Sequence, residues 1–243
     1  MSTPRRFFTD GINYPENSTA TLDGDEFIHA KTVLRVEEGS EITLLDNAGN
    51  EYSAIVTKIE KRSLSAHITG VNRGDREPSA QIYLLCGALK GDKTELVVQK
   101  AVELGVNKIG VFSSRYCSAF INPNKLERLN KVAKEAAKQC LRSVAPEVVY
   151  FDKFSDALAS AKDYDNKLFA CEFAEKSDAD MSVLSGSAAL VVGSEGGFSE
   201  EEFALAKANY GFSGITLGKR ILRAETAAIS MCAIAAFCLG ELK

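Results

Sequence analysis

The sequence predicts an α/β protein with a small β-rich domain in front of a larger domain built on a mainly parallel sheet. Three observations carry this. Residues 1–75 hold short alternating runs separated by turn signals, which suits a small barrel. From Gln81 onward apolar runs alternate with helical patterns over about 165 residues, the signature of a parallel sheet with crossover helices. Between them lies Asn72-Arg73-Gly74-Asp75-Arg76-Glu77-Pro78, polar and turn-rich, so two domains are expected at 1–74 and 75–243.

The elements follow in order. A short helix is expected from Asp25 to Leu34. Glu41 to Leu45 reads as a strand, Asp46-Asn47-Ala48-Gly49-Asn50 as a turn, and Glu51 to Ile59 as the returning strand. Leu64 to Val71 alternates again. Ile82 to Ala88 is a buried strand, and Asp92-x-x-Glu95 resembles a capping box opening a helix that Gly105 ends. Ile109 to Phe112 is a strand, Pro123 to Leu141 a helix, and Lys167 to Cys171 a further strand. Ala188 to Val192 and Gly214 to Leu217 are strands that each lead into a glycine-containing loop and then a helix. Ser199-x-x-Glu202 caps the first of these helices, and Thr226 to Leu239 forms the second. This last helix is apolar nearly all round, as a helix buried on several sides should be.

Bulk properties exclude several classes. The longest apolar stretch, Ile229 to Leu239, is too short to span a bilayer, and no signal peptide is visible, so a cytoplasmic protein without a membrane partner is expected. Six cysteines form no C-x-x-C pair and there are two histidines, which disfavours a zinc site and leaves reduced thiols as the expectation. The net charge of −4 hides a pattern. Residues 1–75 carry 8 basic and 12 acidic side chains, residues 76–150 carry 12 and 7, and residues 151–243 carry 9 and 14. The middle third is therefore a basic island able to engage phosphates. Within it Lys125, Arg128, Lys131, Lys134, Lys138 and Arg142 recur every three or four residues as one helical stripe, either a phosphate track or a solvated face.

The chemistry concentrates in the two C-terminal loops, Gly193-Ser194-Glu195-Gly196-Gly197 and Leu217-Gly218-Lys219-Arg220-Ile221-Leu222-Arg223-Ala224-Glu225-Thr226. Neither is a dinucleotide fingerprint, because Gly193-x-x-Gly196-Gly197 lacks the G-x-G-x-x-G spacing. Gly214 to Lys219 is one residue short of a phosphate-binding loop, and Arg220 stands where magnesium would need Ser or Thr. No Ser-His-Asp arrangement is available, since His29 and His67 both lie in the β-rich domain. Paired strand-exit loops of this kind can surround a flat, polar-edged cofactor with backbone groups, and Glu195, Arg220, Arg223 and Glu225 crowd charge beside apolar strands.

These loops, read as Gly193 to Ser199 and Leu217-Gly218-x-Arg220-Ile221-Leu222-Arg223-x-Glu225-Thr226-Ala227, resemble those of the RsmE family of ribosomal RNA methyltransferases, in the SPOUT superfamily. Arg5-Arg6-Phe7-Phe8, His29 to Arg35, Leu89-Lys90-Gly91-Asp92, Gln99 to Val106 and Glu135 to Arg142 extend the likeness over nearly the whole chain. Ser194 departs from it, standing where the family usually has proline.

The resemblance implies a PUA-like β-barrel at the N-terminus and a SPOUT α/β domain with a deep trefoil knot. It implies a homodimer with the last helix near the interface, and methyl transfer from S-adenosylmethionine to N3 of a uridine in 16S ribosomal RNA, uridine 1498 by likeness. The substrate would be that RNA, free or in the 30S subunit. Gly193, Glu195, Gly196, Gly197, Leu217, Gly218, Ile221, Leu222 and Thr226 fall to the cofactor, with Ile221 and Leu222 on the adenine face. Arg223 and Arg220 would stabilise the developing uracil anion, and Glu225 would take the proton or orient an arginine. Arg5, Arg6, His29, Arg35, Lys90 and Arg142 are the expected RNA contacts. A ribose 2′-O-methyltransferase and a non-enzymatic RNA-binding protein are the competing readings.

Overall fold

A computed structural model describes residues 5–171 and 178–242. The chain divides into two compact units, one running to Glu77 and joined by Ala137–Ala145, the other comprising Pro78–Ala136 and the chain from Pro146.

The first unit is a curled five-stranded sheet in the order β1-β3-β4-β5-β2. Its strands are β1 (Arg6–Phe8), β2 (Thr19–Leu22), β3 (Glu41–Leu45), β4 (Asn50–Ile59) and β5 (Leu64–Arg73). β3, β4 and β5 form the antiparallel meander that the alternating pattern predicts. The carboxylate of Asp46 accepts the backbone N–H of Ala48 and of Asn50, and this local turn sets the β3–β4 register. Register shifts at Ser53/Ala54 and Val56/Lys58 bend β4 against β5 and curl the sheet. The concave face gathers Phe7, Leu22, Phe27, Leu44, Tyr52, Val56 and Leu64 into one core. The helix expected at 25–34 is present in two parts, α1 (Gly24–Ile28) and a π-wound turn His29–Val33.

Residues 137–145 join this unit through polar contacts. Arg6 donates to both carboxylate oxygens of Glu51 and to the carbonyls of Leu141 and Arg142. Glu77 accepts from the Arg142 guanidinium and from the N–H groups of Ser143 and Val144.

The second unit is a six-stranded, wholly parallel sheet in the order β11-β9-β10-β6-β7-β8. Its strands are β6 (Gln81–Gly87), β7 (Lys108–Phe112), β8 (Val148–Phe151), β9 (Asn166–Ala170), β10 (Ser187–Val192) and β11 (Ser213–Ile215). The central strands β6 and β10 are buried on both faces, which is why they read as unbroken apolar runs. The helices are α2 (Lys93–Glu103), α3 (Pro123–Gln139), α4 (Phe154–Ala159), α5 (Glu200–Tyr210) and α6 (Ala224–Cys238). α6 packs on α2, β6 and β10. Tyr83 and Leu85 of β6 instead join Phe112, Phe154, Phe169 and Phe198 in a core that includes residues of α4 and α5. From β11 at the sheet edge the chain thus returns to the sheet centre as α6.

Two local expectations are corrected, and the basic stripe gains partners. Asp92 and Glu95 form no capping box: Asp92 has φ −94° and ψ 4°, outside the extended conformation a cap requires, and makes no side-chain cap bond. Glu95 instead meets Arg128 at 2.8 Å. α3 stops at Gln139, before Leu141, whose φ of 67° cannot continue a helix. The basic stripe on α3 is largely neutralised. Arg128 pairs with Glu95, Lys131 with Glu127, Lys138 with Glu26 and Arg142 with Glu77. At Ser199 and Glu202 the reciprocal capping box of α5 is complete.

Candidate active site

Both glycine loops open onto one cavity of about 600 Å³ in the second unit, a volume that suits a small-molecule ligand. The first loop leaves β10 as a tight turn. The Gly197 N–H donates to the Ser194 carbonyl at 3.0 Å, and Gly197 takes φ +67°, a conformation that disfavours a side chain. At Gly196 the requirement is space, since a Cβ there would lie 2.5 Å from the Tyr116 carbonyl oxygen. The second loop runs from β11 to α6, with Arg223 in extended conformation at the helix N-cap.

Gly193, Glu195, Gly196, Gly197, Leu217, Gly218, Ile221 and Leu222 all line the cavity, as do Arg220 and Arg223. Thr226, in the first turn of α6, is exposed and lies beside the wall residues Ala224 and Ala227 without being one of them. Ile221 is 87 % exposed, an isoleucine at the cavity mouth with an open apolar face. No carboxylate among the described residues pairs with Arg220 or Arg223, so two guanidinium groups remain available to a ligand.

Glu225 is not in the cavity wall either, and its expected arginine partner is corrected. It pairs with Lys93, which does line the cavity, at 3.5 Å. Its second carboxylate oxygen, Oε2, is buried without a hydrogen-bond partner. Lys93 Nζ also lies 3.4 Å from Glu195 Oε1, so one ammonium serves two carboxylates. Burial pushes the Glu195 carboxyl upward. Its own N–H, that of Lys90 and the Lys93 ammonium outweigh this and hold it below its ordinary 4.5. Lys93 was not legible as a site residue, since it sits one place after the Leu89-Lys90-Gly91-Asp92 block and carries no spacing signal of its own.

The arrangement suits S-adenosylmethionine. It combines close-approaching backbone, an open apolar side chain and acidic and basic groups for a ligand bearing both signs of charge. The buried, unpartnered Ser194 Oγ adds a polar atom within the same wall.

The expected RNA contacts separate into two groups. Arg5, Arg35 and Lys90 are exposed. Arg6 and Arg142 are 8 % and 3 % exposed, each held in an ion pair, with Glu51 at 2.7 Å and Glu77 at 3.0 Å. Their assignment to RNA is corrected to a structural one, because each guanidinium is buried against a carboxylate inside the first unit, although Arg6 Nε has no partner among the described residues. His29 is half-buried, with Nδ1 3.2 Å from Lys138 Nζ and its ring edge-on to Phe7.

Comparison with known proteins agrees with this geometry. Residues 75–236 match the RNA methyltransferase domain model, and residues 22–69 match the RNA methyltransferase PUA domain model. The Ribosomal RNA small subunit methyltransferase E of Mesomycoplasma hyopneumoniae is 33 % identical over 227 residues, covering 92 % of this chain and 95 % of that one. The protein of the same name from Bacillus subtilis is 32 % identical, covering 87 % of each. Among solved structures, a methyltransferase from Legionella pneumophila in complex with its cofactor SAM superposes with a TM-score of 0.89 at 29 % identity, covering 98 % of this chain and 99 % of that one. The Ribosomal RNA small subunit methyltransferase E from Neisseria gonorrhoeae, bound to S-adenosyl methionine, gives 0.85 at 30 % identity, covering 99 % and 100 %. A cavity walled by the two glycine loops and a likeness running from end to end point the same way: the chain belongs to the ribosomal RNA small subunit methyltransferase E family.

Proposed function

We propose that this protein transfers a methyl group from S-adenosylmethionine to N3 of a uridine in the 16S RNA of the small ribosomal subunit, at the position that family likeness numbers 1498. The observation that carries the reading is the single cavity formed by both glycine loops, with the guanidinium groups of Arg220 and Arg223 at its wall. S-adenosylmethionine supplies an electrophilic methyl carbon on a sulfonium. The chain's own part is to bind, align and manage a proton. Backbone groups of Gly193, Glu195, Gly196, Gly197, Leu217 and Gly218 enclose the donor, and Ile221 and Leu222 cover its adenine.

Uracil N3 is a poor nucleophile while protonated. As the proton leaves, charge spreads to the flanking carbonyl oxygens, where Arg223 and Arg220 oppose it. Glu225 accepts the proton. Lys93, which lines the cavity, holds this carboxylate at 3.5 Å and links it to the site. Arg5, Arg35 and Lys90, with His29, hold the RNA, and the target base is turned out of its stack to expose N3.

The protein acts as a homodimer in the cytoplasm, where its ribosomal substrate is made. Support for the dimer comes from α6, whose Ile234 and Phe237 remain 39 % and 66 % exposed although the helix is apolar nearly all round. Nucleoside mass spectrometry of 16S RNA from cells with and without the protein tests the reaction. Loss of a base-methylated uridine is expected. A methyl group found on ribose instead would reassign the reaction to the sugar hydroxyl.

A further inference from the structure

Two aromatic side chains beside the active-site loops have no role in what precedes. The connection between β7 and α3, residues 113–122, carries Tyr116 and Phe120, which are 48 % and 70 % exposed. This connection is held firmly. The Arg115 N–H donates to Glu202 Oε1 at 2.8 Å, and the Cys117 thiol donates to the Ala88 carbonyl at 3.2 Å. The Tyr116 backbone lies against Gly196 so closely that no Cβ fits between them. Phe120 stands edge-on to Tyr150 with ring centroids 6.4 Å apart, and Tyr150 is itself fixed by Ser113. The two rings are therefore presented to water from an anchored frame, and one of them adjoins a loop that walls the cavity.

Cations flank the rings, of which Arg115 is paired with Glu201 at 3.1 Å. The Arg115 guanidinium lies 5.7 Å from the Tyr116 ring centroid. Lys90 is exposed, with its N–H bound to the cavity residue Glu195. Lys125 donates to the Gly91 carbonyl. Flat exposed rings interleaved with positive charge match unstacked nucleobases on a phosphate backbone.

We propose that Tyr116 and Phe120 form a stacking platform for unpaired bases next to the nucleotide that enters the cavity. The contact of Tyr116 with Gly196 puts this end of the platform beside the cavity, Phe120 follows on the same connection, and the cationic side chains meet the flanking phosphates. The platform rests on the RNA methyltransferase reading above, and its role is to position substrate.

The test compares wild type with Tyr116→Ala, Phe120→Ala, Phe120→Leu and Phe120→Trp. The readouts are steady-state methylation of small ribosomal subunits from cells lacking the protein, calorimetry with S-adenosylmethionine, and sedimentation. Each alanine variant keeps the Cβ and should raise KM for the subunits about tenfold, with donor affinity unchanged. Phe120→Trp should act like wild type, and Phe120→Leu like Phe120→Ala, because leucine is apolar but offers no π face. Unchanged KM in both alanine variants, full function of Phe120→Leu, or a change of oligomeric state would overturn the platform. The methyltransferase reading would stand in all three cases. A wild type that neither bound the donor nor methylated subunits would overturn both.

Discussion

Lys93 Nζ stands 3.5 Å from Glu225 Oε1 while the other oxygen of that carboxylate is buried without a partner. One ammonium in the cavity wall thus fixes the carboxylate by one end. Lys93→Met should lower single-turnover methyl transfer about tenfold or more, and Lys93→Arg should retain part of the rate. Transfer of radiolabelled methyl to small subunits measures this. A Lys93→Met rate equal to wild type would leave Glu225 without a positioning partner.

Arg223 lines the cavity, and no carboxylate among the described residues pairs with it. Arg223→Ala should abolish methylation, a loss of about 100-fold or more, while S-adenosylmethionine still binds measurably by calorimetry. Retained turnover would remove Arg223 from the reaction.

Gly196→Ala tests the close approach in the first loop. The added Cβ would sit 2.5 Å from the Tyr116 carbonyl oxygen, and since a backbone atom is in the way, the loop itself must move. Donor affinity should fall about tenfold, with a stability loss of about 1–3 kcal/mol seen as a lower denaturation midpoint.

The parallel strands and the two loops were legible because their information is contiguous. β6 and β10 are apolar runs buried on both faces, and the glycine loops are single stretches of chain. β1 and β2, with 3 and 4 residues, are too short to show a period, and neither was anticipated. The sites that misread are those decided by distant partners. Arg6 meets Glu51 across 45 residues and Arg142 meets Glu77 across 65, so two arginines that look ready for RNA are already occupied. The same holds for the α3 stripe, whose cations find carboxylates on other elements. Lys93 needs the fold for its meaning, since only folding brings α2 beside both loops. The trefoil knot is an expectation that family likeness alone carries, because chain threading leaves no mark on local pattern.

Arg6→Ala should therefore act on stability, not on RNA affinity. It removes one partner of a largely buried ion pair and should cost about 2–4 kcal/mol in chemical denaturation. The hydrogen bonds from Arg6 hold the Glu51 carboxyl below its ordinary 4.5 against the cost of burial. A depressed carboxylate stabilises the fold above its unfolded value and ceases to do so as pH falls through its folded value. The stability gap between wild type and Arg6→Ala should therefore be full near neutral pH and narrow below about pH 4.5. A gap that widened in acid would contradict the pairing. By contrast, Arg5→Ala should leave the denaturation midpoint in place and reduce the salt slope of RNA binding by about one.

Glu77 grips the N–H groups of Ser143 and Val144, and Arg6 grips the carbonyls just before them. The N-terminal unit of the molecule is consequently not a cassette. A clone cut after residue 74 would omit nine residues that complete its own polar interior, those from Ala137 to Ala145. Such a fragment would leave Arg6 and Glu51 without their neighbours, and transplanting it onto another enzyme would require carrying a piece of a helix encoded sixty codons downstream.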